Sequence, residues 1–156
     1  MPEWPMAHTL SGMLAKQDIL EVLHRYCRAI DRRDPALLSG CFHEDSVHDQ
    51  GGFRGPSRDF CALALERVAS LPVTHHQLGS VLVELAGDSA TSEAYFTAFH
   101  RIPAEGPGLG LFVPNGTERN LIVGGRYLDL WEQREGDWRI VRRQGIYDWQ
   151  RQEACG

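Results

Sequence analysis

The hydrophobic period of this chain changes for good near Pro72, and that change sets the order in which its main elements can pack. Before it, apart from a short alternation at 45–54, apolar residues recur at helical spacing, and after it they alternate. In the first stretch Ser11 is a suitable cap for a helix running to about Arg33, and Asp34-Pro35 then supplies a cap and a proline at the first position of a short helix that Gly40 helps to end. Ser57 can cap a third helix that Pro72 closes, and residues 45–54, around Gly51-Gly52, read as a small hairpin or edge segment. In the second stretch strands are expected over 74–86, 90–101, 119–133 and 138–149, with turns at Gly87-Asp88 and at Glu135-Gly136-Asp137. Residues 103–118 carry three prolines and four glycines without periodicity, the mark of a long loop that lids a site. Helices first and antiparallel strands after give an α+β class, one curved sheet with three N-terminal helices on one side.

A chain of 156 residues is most simply one domain. Sixteen basic against 21 acidic residues leave a formal charge of −5, and the arginines are scattered, so neither nucleic acid nor an anionic membrane is an expected partner. Small molecules and further copies of the chain remain. Cys27, Cys41, Cys61 and Cys155 lack CxxC spacing and read as small core residues in a reducing compartment. Met1 to Leu10 do not have the pattern of a secretory signal, and no window reaches 18 apolar residues, so a cytoplasmic location is expected.

Asp31 breaks the pattern of the first helix. The apolar stripe runs Ile19, Leu23, Tyr26, Cys27, Ile30, and the next position on that face is the acid, although a solvated face carrying Glu21, Arg25, Arg28 and Arg32 was open to it. An inward carboxylate must be paired or hydrogen-bonded, and such groups concentrate at functional sites. His75 and His76 open the first long strand and His100 ends the next. About a turn at Gly87-Asp88, residues 76 and 100 come out opposite each other, at one end of one hairpin. Asp31 with His76 would form a general-base dyad, with His100, Tyr26 and Arg143 as groups that bind or protonate a substrate oxygen or leaving group. The plainer reading makes Asp31 a helix-end cap or an ion pair with Arg32 or Arg33, and the histidines exposed.

His43-Glu44-Asp45 contains an HxD, which with a distant histidine could form an iron site, but it falls at a helix end rather than on a jelly-roll strand. No nucleotide motif is present; Gly108-Leu109-Gly110 lies in the proline-rich loop. No metal and no cofactor are therefore expected.

Tyr26-Cys-Arg-Ala-Ile-Asp31-Arg-Arg-Asp34 followed by Cys41-Phe-His-Glu-Asp45 resembles the opening of SnoaL-like domains of the nuclear transport factor 2 superfamily. His75-His76-Gln-Leu-Gly79, Val83-Glu-Leu-Ala-Gly-Asp88-Ser-Ala90, Gly125-Arg-Tyr-Leu-Asp129 and Gly136-Asp-Trp-Arg-Ile140 extend the likeness from about residue 14 to 150. The resemblance implies a cone of curved sheet and helices around one deep apolar pocket. Scytalone dehydratase, hexachlorocyclohexane dehydrochlorinase and bile-acid 7α-dehydratase are similar in setting an aspartate at the end of the first helix against a histidine early in the first long strand, the positions of Asp31 and His76. The resemblance also maps a second histidine onto His100, a tyrosine or lysine onto Tyr26 and a leaving-group arginine onto Arg143.

The expected activity is a cofactor-free lyase of dehydratase or dehydrohalogenase type acting on a small cyclic apolar substrate. An isomerase or cyclase using the same dyad, and a non-catalytic binding or subunit module, are the alternatives. Large rings at Tyr95, Phe99, Tyr127, Trp131 and Trp138 are too many for both sheet faces to be covered by three helices, which leads to an expected homodimer or homotrimer through the convex face.

Overall fold

The computed structural model describes residues 9–155, so the expectation for the first ten residues falls almost wholly outside them. The elements follow the order that the change of period requires. Helices α1 (Leu10–Arg32), α2 (Pro35–Ser39) and α3 (Ser57–Val68) enclose a hairpin of β1 (Phe42–Gln50) and β2 (Phe53–Pro56). Long strands β3 (Val73–Ala86), β4 (Ser89–Ile102), β5 (Arg119–Arg134) and β6 (Asp137–Ala154) come after, with one 3-10 turn at Gly110–Phe112 in the long loop. They form one six-stranded sheet ordered β2-β1-β6-β5-β4-β3, antiparallel except where β1 runs parallel to β6. β6 extends five residues beyond the expected end because it pairs with β5 as far as Arg119–Ala154.

The helix termini position the later site. Thr9, rather than Ser11, caps α1 by accepting from the Gly12 N–H at 3.1 Å, since Ser11 already lies inside the first turn. At the other end Arg33 adopts a left-handed conformation (φ 54°), and the N–H groups of Arg33 and Asp34 close onto the Ile30 and Ala29 carbonyls. The Arg33 guanidinium donates to the carbonyls of Val68 and Leu71, which ties the end of α1 to the end of α3. Asp34 caps α2 as expected, through the Leu37 N–H. Ser57 does not cap α3; it is the first helical residue, buried behind Pro56. The β1–β2 turn uses Gly51 and Gly52 at φ +58° and +83°, the left-handed pair that a two-residue hairpin needs and that glycine adopts at least cost.

The inner face of the sheet meets α1 and α3. Ile19, Leu23, Tyr26, Cys27 and Ile30 are all buried, as the stripe required, against Ala94, Phe96 and Ala98 of β4 and Leu121, Val123 and Tyr127 of β5. The expectation for the aromatic rings needs correction. Tyr127 and Trp131 are 1% and 0% exposed and belong to the core, because the inward parity of β5 runs through 121, 123, 127 and 131, and Trp138 on β6 is buried with them at 4%. Only Tyr95 and Phe99 of the five point outward.

Beneath this core lies a buried charge pair. Asp129 and Arg143 stand directly opposite on β5 and β6, joined by two hydrogen bonds of 2.7 Å, and neither side chain has any exposure. Arg143 is also clasped between the rings of Tyr26 and Tyr127, 4.2 Å from each centroid. Burial works against its charge, but Asp129 outweighs that and keeps the guanidinium protonated. Removing one partner strands the other charge. Asp129→Ala is therefore expected to lose ~3–5 kcal/mol in urea unfolding, whereas the double variant Asp129→Leu/Arg143→Met should recover most of it. Equal losses in the single and double variants would contradict this reading.

Candidate active site

Asp31 turns inward from the last turn of α1 and meets the first residues of β3. One carboxylate oxygen, Oδ2, accepts from the His76 backbone N–H at 2.8 Å, and Oδ1 lies 2.7 Å from His76 Nδ1. The two side chains are 12% and 11% exposed, so the contact is shielded. It is the plainer reading of Asp31 that fails here: Arg33 is engaged with α3, and no ion pair joins Asp31 to Arg32 or Arg33. With Nδ1–H donating to the carboxylate, a neutral His76 ring presents a bare Nε2.

His76 lines a cavity between the sheet and α3 with about 560 Å³ of empty space counted out to its open mouth. Ile30, Phe60, Ala64, Val68, Phe96, Ala98 and Val123 make its wall apolar, while Leu111 and Phe112 from the long loop lie over it. The Phe112 ring of that loop is 4.6 Å from His100. Tyr26 and His100 also line the cavity.

The register differs from the arithmetic about the turn. Ala86 pairs with Ser89, and an irregularity between Leu78 and Val81 slips the pairing again, so His76 faces Ala98 and Thr74 faces His100. His76 and His100 are consequently diagonal neighbours on one face, their rings 5.4 Å apart edge to face. His100 Nδ1 is 2.9 Å from Thr74 Oγ1, which leaves its other nitrogen toward the cavity side.

Arg143 does not join them. It lies behind Tyr26 and Tyr127, is consumed by Asp129, and is not among the residues lining the cavity. A role in leaving-group departure by direct contact is not compatible with that position; its charge instead stabilises the tyrosine layer. The HxD is also elsewhere: it lies on β1 rather than at a helix end, with His43 Nε2 on the Glu132 carbonyl and Asp45 on Arg134. No group of three or more metal-ligating side chains occurs among the described residues.

Sequence reasoning missed Gln50, Arg67 and Tyr147, which line the same cavity, and His48 behind them. A signal was present. On β1 the polar Ser46, His48 and Gln50 are buried while Val47 between them is 47% exposed, an inversion of the usual alternation. His48 stacks on Phe60 at 3.5 Å and contacts Gln50 at 3.1 Å.

His48 and His100 are both held neutral. Burial is the main cause in each, helped by the charge of Arg143 at His48 and by His76 at His100, and both are pushed down to about 3. In the unfolded chain each would titrate near ~6.5, so below that pH the unfolded state takes up protons that the folded state refuses. Stability is complete above pH ~6.5 and falls toward pH ~3, by up to ~1.4 kcal/mol per pH unit for each ring. Urea midpoints between pH 7.5 and 5 should show this decline, and His100→Gln should make it shallower. A midpoint independent of pH over that window would contradict the assignment.

Comparisons with known proteins bear on this geometry. The model of the SnoaL-like domain matches residues 12–144. No curated protein matches the chain. Among solved structures, a scytalone dehydratase-like protein of Novosphingobium aromaticivorans superposes with a TM-score of 0.74 at 20% identity, covering 93% of this chain and 91% of that one. Hexachlorocyclohexane dehydrochlorinase LinA-type3 of Novosphingobium barchaimii gives 0.76 at 13% identity, covering 93% and 94%. A protein of Kribbella flavida gives 0.74 at 21% identity, covering 90% and 95%. At these identities the structures establish a shared fold, a cone of helices and curved sheet, and the match over residues 12–144 makes the chain a member of the SnoaL-like domain family.

Proposed function

We propose that this protein is a cofactor-free lyase that eliminates water or halide from a small cyclic, largely apolar substrate. The observation that carries the reading is the double engagement of Asp31 by His76 at the wall of an apolar cavity. His76 Nε2 would take a proton from a ring carbon; the electron pair left behind forms the new double bond as the adjacent hydroxide or halide departs. Asp31 would hold the ring in its Nδ1–H tautomer and stabilise the imidazolium that forms. His100 and Tyr26 would meet the leaving group. Burial pushes the Tyr26 phenol upward, which keeps it a hydrogen-bond donor, and His100 stays neutral near pH 7. The apolar stretch of wall around His76 suits a largely apolar ring at the reacting position. The scytalone dehydratase-like and dehydrochlorinase neighbours support this class of chemistry by analogy.

Incubation with candidate cyclic alcohols and halides should give a product lighter by water or hydrogen halide. His76→Ala should lower turnover by ~10²–10⁴-fold while leaving the thermal unfolding temperature nearly unchanged, and Asp31→Asn should act in the same direction. Near-wild-type rates in either variant would remove the dyad from the mechanism, and a product of unchanged mass would point to an isomerase.

We also propose self-association through the outer face of the sheet, now on corrected residues. Leu82, Tyr95, Leu130 and Trp149 are 63%, 48%, 40% and 51% exposed, an apolar surface that a second copy would cover. Sedimentation at micromolar concentration should give a dimer or trimer; a single species near 17.5 kDa would contradict it.

A further inference from the structure

The polar groups of the cavity fall into two sets. His76 and His100, with Asp31 behind His76, belong to β3, β4 and α1, with β3 at one edge of the sheet; Gln50 and Tyr147 belong to β1 and β6 on the other side of β5, and Arg67 to α3. The dyad reading uses only the first set. The second contains a cation without an anion: Arg67 lines the cavity, forms no ion pair with a described carboxylate, and has its Nε buried without a hydrogen-bond partner. A buried Nε–H left unpaired costs stability, which a ligand accepting from the guanidinium would relieve.

The neighbouring groups are aimed the same way. His48 Nε2 lies 3.1 Å from Gln50 Oε1, and since that oxygen only accepts, the histidine donates to it. The Gln50 amide then donates to the Tyr147 hydroxyl oxygen at 3.1 Å. Tyr147 thus receives a hydrogen bond and keeps its own proton to give. Gly145 permits the arrangement, because a β-carbon there would stand 2.3 Å from the Gln50 side chain. Gly51 permits the convergence: a β-carbon there would come within 3.2 Å of the Tyr147 hydroxyl and 3.6 Å of Arg67 Nη1, so both donors border one small space. Gly110 of the long loop lies against the other side of the guanidinium, its β-carbon position 3.5 Å from Arg67 Nε.

We propose that Arg67 and Tyr147, with Tyr147 oriented by the His48–Gln50 relay, bind a carboxylate carried by the substrate at the end remote from the dyad. A guanidinium edge and a hydroxyl present two donors to the two oxygens of a carboxylate. With its acid group held there, a substrate ring would lie along the apolar wall that separates Arg67 and Tyr147 from His76. The substrate class is a cyclic carboxylic acid, apolar between its acid group and its reacting carbon. This deepens the dyad reading and rests on the same cavity being the substrate site.

Binding separates the two ideas, because it needs no turnover. Benzoate and 2-naphthoate, each compared with its neutral amide, can be titrated at pH 7.5 by NMR of the wild-type protein and of Arg67→Gln and Tyr147→Phe. The acids should bind the wild type at least ~10-fold more tightly than the amides, a difference of ~1.4 kcal/mol. In Arg67→Gln the preference should fall to within about threefold while amide affinity is retained, which shows that the variant is folded; Tyr147→Phe should lose part of it. Equal binding of acid and amide by the wild type, a preference that survives Arg67→Gln, or no binding of any probe at millimolar concentration would each overturn the proposal. Acid preference with full activity in His76→Ala would instead leave this site standing and remove the dyad.

Discussion

A carboxylate with both oxygens engaged by one residue is the contact on which the site depends. Asp31 accepts from the backbone of His76 with one oxygen and faces its ring with the other, so the start of β3 and the end of α1 are fixed to each other at the position where chemistry is proposed. Such a contact forms only if the helix stops at the right residue. Arg33 stops it by entering the left-handed region and then anchors the terminus on the carbonyls of Val68, at the end of α3, and of Leu71 just beyond it. The cost of a non-glycine residue at positive φ is thus offset by two further hydrogen bonds, and the Asp31–His76 contact is built on that junction.

The second buried charge plays a different part. Asp129 and Arg143 neutralise each other inside the sheet layer, and Tyr26 and Tyr127 form a roof of rings over the guanidinium. The cavity side of these rings is therefore positioned by a charge that never reaches the cavity. With burial, the same field disfavours protonation of His48, whose Nε2–H donates to Gln50. Buried ion pairs of this kind seldom add net stability over apolar replacements, which is consistent with a positioning role.

Most of the architecture was legible because each element advertised itself locally. The change of period near Pro72, the Asp34-Pro35 restart and the Gly51-Gly52 turn all appear where the residues demanded them. Asp31 was legible as a misfit in an apolar stripe, and its meeting with His76 followed from placing a histidine at the start of β3. What escaped was non-local. The slip between Leu78 and Val81 displaces the β3–β4 register, and no turn residue announces it. Arg143 looked free because its consumer, Asp129, lies on another strand, and the facing of Tyr127 and Trp131 depends on strand parity. The inversion at Ser46, Val47, His48 and Gln50 was visible but is easily passed over in so short a strand.

The central claim is that Asp31 sets the tautomer of His76 and so frees Nε2 as a base. Nitrogen-15 NMR of the imidazole rings at neutral pH tests it directly, since the shifts of the two ring nitrogens report which one carries hydrogen. The account predicts a His76 ring protonated on Nδ1 with Nε2 bare, and loss of that pattern in Asp31→Asn. A His76 ring carrying its proton on Nε2 in the unaltered protein, or an unchanged pattern in Asp31→Asn, would contradict it.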